Sequence, residues 1–272
     1  MCELLGMSAN VRTDIHFSLS GLIPRGGKTG PFYEGMGCRT FKDARACCNS
    51  PVARFVRDYP VKSEAVIAHI RQANRGVVSL ENTHPFTREL WGRNWTYAHN
   101  GQLSGYEHLT TGFFTPVGQT DSEHAFCWLL NQLKEKYPQP PQDLQTVFRE
   151  IKRLADVLRQ FGVFNMLLSD GSYVLAYCST NLHWITRRAP FGKARLVDSD
   201  VEIDFSQHTR PDDVVSVIAT QPLTGNEQWQ KIGPGEAVLF YYGGMSPCSE
   251  SANRYPLPVP VKLNVQRLHN GR

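Results

Sequence analysis

The sequence predicts a mixed α+β domain of two stacked β-sheets with helices packed against them. Three observations predict it. Apolar runs of strand length recur at 2–7, 64–70, 95–98, 162–169, 173–178, 182–186, 214–219 and 237–242. Several are apolar almost throughout, as strands covered on both faces are. Two stretches of helical periodicity lie between the strand groups. Patterning alone also admits an ordinary α+β arrangement.

The first run, Cys-Glu-Leu-Leu-Gly-Met, reads as a strand whose leading residue emerges at a sheet end. The run at 64–70 stops at Ile70 and is followed by Arg71, a guanidinium that closes an apolar strand and needs a partner. His99-Asn100-Gly101 follows the strand at 95–98 and, taken alone, signals a hairpin turn. Thr120-Asp121-Ser122-Glu123 opens a helix, with Thr120 or Asp121 as cap and Glu123 in the first turn. Ala125, Phe126, Trp128, Leu129, Leu130 and Leu133 follow it. Bottom-up, Asp121 reads first as the N-cap. A second amphipathic helix is expected over about 144–160, with Leu144, Val147, Phe148, Ile151, Leu154, Ala155 and Leu158 on one face. From 243 the composition turns to Gly243-Gly244, Ser246-Pro247 and then Pro256, Pro258 and Pro260, so the division expected is a domain over 2–242 and a Pro-rich, extended tail over 243–272.

A length of 272 residues suits one large domain with such a tail. Lys and Arg exceed Asp and Glu by 29 − 25 = 4, with no long run of like charge, so neither nucleic acid nor a membrane surface is an expected partner. No run reaches the roughly 18 apolar residues of a membrane span, and the start lacks a basic-then-apolar leader pattern; the expected location is cytoplasmic. The seven cysteines are odd in number and contain no Cys-x-x-Cys pair, which predicts reduced thiols rather than a disulfide framework or a zinc site. No metal or organic cofactor is expected, because the histidines lack ligand spacing and the glycines form no dinucleotide fingerprint.

Cys2 is the candidate nucleophile, although taken alone it reads first as the start of a strand. Removal of Met1 leaves a thiol and a free α-amine on one residue. A thiol titrates near ~8.5 and an α-amine near ~7.7–8.0, so the amine can take the thiol proton through one water. This is the arrangement of an N-terminal nucleophile.

Cys2-Glu3-Leu4-Leu5-Gly6, Arg25-Gly26-Gly27, His69-Ile70-Arg71, Asn82-Thr83-His84-Pro85, His99-Asn100-Gly101 and Thr120-Asp121-Ser122-Glu123, in this order and spacing, resemble the class II glutamine amidotransferases, and in particular their stand-alone YafJ-like members. The resemblance implies a four-layer αββα sandwich of the N-terminal-nucleophile hydrolase type, with two mainly antiparallel sheets. It implies that Cys2 is the nucleophile. Asn100, through its carboxamide, and Gly101, through its backbone N–H at a sharp turn, would receive the oxyanion. Arg71 would hold a substrate carboxylate as a bidentate fork and Asp121 the α-ammonium, alongside any helix-capping role. Arg25, Asn74, Asn82 and His84 would complete the pocket by their place in the matching motifs. Gln72 and Arg75 stand where many members have tryptophan and histidine, as in the stand-alone subgroup. The resemblance also implies an Asp-Gly-Trp-Gly segment after Pro31, whereas this chain passes directly to Phe32-Tyr33-Glu34-Gly35. Either a strand beside the nucleophile is shortened by about eight residues, a normal strand length, or this sequence omits a lid loop.

The activity implied is cleavage of the glutamine side-chain amide through a Cys2 thioester, releasing ammonia to an unidentified acceptor. No synthase domain fits after 240, so a separate synthase subunit or plain hydrolysis is expected. Two alternatives stand beside it: a γ-glutamyl amide hydrolase acting on a thiol metabolite or glutathione-derived peptide, and a catalytically dead γ-glutamyl-binding domain.

Overall fold

The computed structural model describes residues 3–14, 38–58, 62–71, 77–207 and 210–246. Cys2, Arg25, Asn74, the junction after Pro31 and the segment from 247 onward lie outside the described residues.

Two antiparallel sheets are stacked face to face. The first contains Glu3–Asp14 (β1), Lys62–Ile70 (β2), Leu182–Arg188 (β7), Val214–Ala219 (β10) and Gln230–Ile232 (β11), in the spatial order β11-β7-β10-β1-β2. The second contains Phe86–Leu90 (β3), Arg93–Leu103 (β4), Gly162–Ser169 (β5), Tyr173–Tyr177 (β6), Ala237–Tyr241 (β12) and Gly244–Met245 (β13), in the order β13-β12-β6-β5-β4-β3. Lys193–Arg195 (β8) and Glu202–Asp204 (β9) form a separate ribbon. The helices are Pro51–Asp58 (α1), Asp121–Lys136 (α2) and Leu144–Leu158 (α3). Among the described residues no helix is long and apolar enough to cross a membrane.

Side chains alternate between faces along each strand, and that alternation builds three cores. Leu4 enters the core between the sheets with Ala98, Leu167, Val174, Ile218 and Phe240. Its neighbours Leu5 and Met7 take the opposite face with Val215, Val217, Phe191 and Leu223. In β4, Trp95 and Tyr97 pack beneath α2 and α3 against Phe126 and Ile151, while Ala98 faces the other sheet. The same period puts His99 on the helix side and Asn100 between the sheets.

Both long helices lie on the outer face of the second sheet, their apolar faces entering one cluster with β4, β5 and β6. Thr120 caps α2 by accepting the Glu123 N–H at 3.2 Å, and Asp143 caps α3 by accepting that of Thr146 at 2.7 Å. Caps of this kind contribute about 1 kcal/mol each. The outer face of the first sheet is covered by Phe191, Phe205, Leu223 and Trp229 from the connections between β7 and β11.

The expected sandwich of two antiparallel sheets with flanking helices is the observed fold, with two changes of detail. β1 runs to Asp14 and β4 to Leu103, beyond the apolar runs that announce them. The body also continues past 242: Tyr242 and Gly243 turn the chain with φ of 48° and 75°, Phe240 and Tyr241 pair with Met245 and Gly244, and the Ser246 N–H donates to the Leu239 carbonyl. Two successive residues at positive φ are what a tight hairpin requires, so the Gly-Gly signal marks a turn rather than the start of a tail.

Candidate active site

The head of β1 is clamped from both sides. Glu3 pairs with Ile70 and Leu4 with His69 on β2. On the other flank the chain leaves β10 at Ala219, and Thr220 grips Leu4 twice: its Oγ1 accepts the Leu4 N–H at 3.0 Å and its own N–H donates to the Leu4 carbonyl at 3.3 Å. Thr220 is fully buried, and its carbonyl lies 3.0 Å from the Nδ1 of His183.

Asn100 reaches the same hydroxyl from the opposite sheet, its Nδ2 donating to Thr220 Oγ1 at 3.3 Å. Its backbone is fixed by Asn165, whose Nδ2 donates to the Asn100 carbonyl at 3.0 Å and to Thr180 Oγ1 at 2.8 Å. Asn165 Oδ1 accepts the N–H groups of Ser179 and Thr180. A buried carboxamide with every hydrogen-bonding capacity engaged is a rigid support.

The expected turn at His99-Asn100-Gly101 is absent: these residues run straight through β4, with Asn100 opposite Asn165 and Gly101 opposite Phe164. Glycine is required here by contact. A Cβ on Gly101 would lie 1.8 Å from the Val163 carbonyl oxygen and 2.7 Å from His99 Nε2.

Asp121 is the first residue of α2, and Thr120 rather than Asp121 is the cap, because the threonine hydroxyl meets the Glu123 N–H. The carboxylate instead turns to β4, where Oδ2 accepts the Leu103 N–H at 2.7 Å. Beside it, Ser122 Oγ lies 2.9 Å from His99 Nδ1, and His99 Nε2 lies 3.0 Å from the Val163 carbonyl. A carbonyl only accepts, so Nε2 bears the proton and Nδ1 accepts the serine hydroxyl. Burial holds His99 below its ordinary pKa, against the opposing pull of Asp121.

Arg71 follows β2 directly, and its Nη1 donates to the Val77 carbonyl at 3.4 Å. Asn82 donates to that carbonyl at 3.0 Å and accepts the Gln119 N–H at 2.8 Å, so one buried carboxamide joins the Arg71 side to the loop leading into α2. His84 stacks beside His69 and Phe86, with ring centroids 4.1 and 4.6 Å away. Burial pushes His69 down to about 3 and His84 well below the ordinary histidine range, so both rings are neutral at physiological pH.

The structure therefore gathers Asn100 at the head of β1, Gly101 and Asp121 along the end of β4, and Arg71, Asn82 and His84 around the end of β2. Thr220, Asn165 and Ser122 escaped sequence reasoning. Asn165 carried a signal, being a carboxamide inside an otherwise apolar strand; Thr220 is an ordinary threonine at a strand end.

The family described as class II glutamine amidotransferases matches residues 1–259. The YafJ protein of Escherichia coli (strain K12) is 70% identical over 251 residues, covering 89% of this chain and 98% of its own length. A Haemophilus influenzae relative is 46% identical over 251 residues, 89% of this chain and 85% of its own. The crystal structure of a Pseudomonas aeruginosa protein, described as a predicted glutamine amidotransferase, superposes with a TM-score of 0.71 at 49% identity, covering 90% and 99% of the two chains. Bacillus subtilis glutamine phosphoribosylpyrophosphate amidotransferase, at 15% identity and a TM-score of 0.52 over 90% of this chain and 48% of its own, shares the fold. The chain belongs to the class II glutamine amidotransferases.

Proposed function

We propose that the protein cleaves the side-chain amide of glutamine through a thioester on Cys2 and releases ammonia. The observation that carries this reading is the meeting of Leu4 and Asn100 on one Thr220 hydroxyl, because it brings a carboxamide donor of one sheet to Leu4 at the head of β1, two residues after the thiol.

In this reading the α-amine of processed Cys2 takes the thiol proton, and the thiolate attacks the amide carbon. The oxyanion that forms accepts hydrogen bonds from the Asn100 carboxamide and the Gly101 N–H, donors of a type worth about 100- to 1,000-fold in turnover. The α-ammonium returns its proton to the departing nitrogen, ammonia leaves, and a γ-glutamyl thioester remains. Water, deprotonated by the same amine, then attacks the thioester, expelling glutamate and restoring the thiol. Arg71 holds the substrate α-carboxylate and Asp121 its α-ammonium. Asn82 fixes the loop that Arg71 leans on, His84 supplies a neutral wall, and Arg25 and Asn74 complete the pocket. The acceptor of the ammonia is unidentified.

The test is direct. Purified protein that has lost Met1 should form one adduct with 6-diazo-5-oxo-L-norleucine, mapped to Cys2 and blocked by excess glutamine, and should release glutamate and ammonia in equal amounts. Cys2→Ala should abolish turnover while glutamine still binds. A processed Cys2 that neither reacts nor turns over glutamine sinks the reading.

A further inference from the structure

We infer that Thr220 is a positioning residue of this reaction, aligning the Asn100 carboxamide with the nucleophile strand. The inference rests on the glutaminase reading and adds to it a residue that contacts neither substrate nor reacting atoms.

The argument begins with what one hydroxyl can do. It offers two lone pairs and one hydrogen. At Thr220 the lone pairs face two donors, the Leu4 N–H at 3.0 Å and Asn100 Nδ2 at 3.3 Å. These donors come from different sheets, and no strand ladder joins β1 to β4. Leu4 packs in the inter-sheet layer among Ala98, Leu167 and Ile218, apolar side chains that meet by dispersion, which is insensitive to rotation about a bond axis. A hydrogen bond is directional. Thr220 therefore fixes the plane of the Asn100 carboxamide relative to the head of β1.

Thr220 is itself immobilised. Its N–H bonds the Leu4 carbonyl, its carbonyl faces His183 Nδ1 on β7, and its side chain is buried. Asn100 is held at the backbone by Asn165. Backbone and carboxamide are thus anchored separately: Asn165 places the Cα, and Thr220 sets the side-chain torsion. An oxyanion donor acts only when it points at the place where charge develops, so an error in that torsion costs turnover before it costs substrate binding.

The experiment is a kinetic double-mutant cycle on glutamine hydrolysis with the full-length, Met1-processed protein, comparing wild type, Thr220→Val, Asn100→Ala and the double variant. Thr220→Val keeps the shape and removes the hydroxyl. If Thr220 acts through Asn100, kcat should fall by about tenfold or more, within the range set by losing an oxyanion donor, while KM stays within about twofold. In the Asn100→Ala background the same change should cost less than about twofold, since coupled residues are not additive. Thr220→Ser, which keeps the hydroxyl, should restore kcat to within about threefold of wild type. An equal loss from Thr220→Val in both backgrounds, a change in KM alone, or a failure of serine to rescue would overturn the assignment. Should valine prevent folding, Thr220→Ala read in the same two backgrounds decides the same question. A processed wild type without turnover refutes the glutaminase reading and Thr220's role with it, whereas an active wild type with an additive cycle refutes Thr220's role alone.

Discussion

His69 and His84 lie ring to ring with centroids 4.1 Å apart, and neither His69 Nε2 nor either nitrogen of His84 has a hydrogen-bond partner among the described residues. Arg71 stands close enough to oppose protonation of both, and Lys42 adds to the effect at His84. Two closely packed imidazoles beside two cations favour the neutral state of both rings.

Stability should therefore depend on pH in a defined direction. Both folded-state pKa values lie below the unfolded value near 6.5, His69 at about 3. Above about 6.5 both states are neutral and stability is full. As pH falls from there toward 3 the unfolded chain gains protons first, and stability declines. Urea midpoints measured between pH 7.5 and 4.5 should fall steadily, and His84→Gln, which cannot titrate, should flatten that slope. A slope unchanged by the substitution would exclude His84 as its source.

Gly101→Ala should be among the costlier single changes in the fold. The new methyl group meets backbone, the Val163 carbonyl at 1.8 Å, so β4 and β5 must separate. A loss of about 3 kcal/mol or more is expected for such overpacking. Gly105→Ala is the control: its φ is +73° but nothing lies within 4 Å, so only left-handed strain of about 1–2 kcal/mol applies. Urea unfolding of the two variants should rank them in that order.

Arg71→Lys separates charge from geometry. A lysine keeps the cation but loses the planar fork that matches a carboxylate. KM for glutamine should rise by about tenfold or more with kcat changed only a few-fold; a KM within twofold of wild type would remove Arg71 from substrate recognition.

Asp121→Asn should likewise act on binding rather than folding. The asparagine oxygen can still accept the Leu103 N–H and Thr120 still caps α2, so thermal stability should change by less than about 1 kcal/mol. The charge that would meet a substrate ammonium is gone, and KM should rise at least as steeply as in Arg71→Lys. Loss of stability with KM unchanged would make Asp121 purely structural.

How far the sequence could be read follows from where each element gets its stability. β5 and β10 are apolar enough to be found at their true bounds, 162–169 and 214–219, because both faces are buried along most of their length. β3, with Thr87, Arg88 and Glu89, was not legible: it is an edge strand that β4 holds by pairing, and Arg88 finds its partner in Glu123, 35 residues away. The short strands β8, β9, β11 and β13 and the short helix α1 are likewise products of tertiary contact. In the site, Asn100-Gly101 was legible as chemistry but not as conformation, since an Asn-Gly pair means a turn until a neighbouring strand overrides it. Thr220 was illegible for a simpler reason: its meaning lies in Leu4 and Asn100, 216 and 120 residues away.

The place of β1 in its sheet has a consequence for how the protein is made. β1 lies between β2 and β10, and Leu5 pairs with Ala219, more than 200 residues later in translation. At roughly 5–20 residues per second, the ribosome needs on the order of 10 to 40 s to deliver that partner. Through this interval the first strand has at most one of its two neighbours. The head of β1 is thus clamped on its second side only after residues 214–220 have been made.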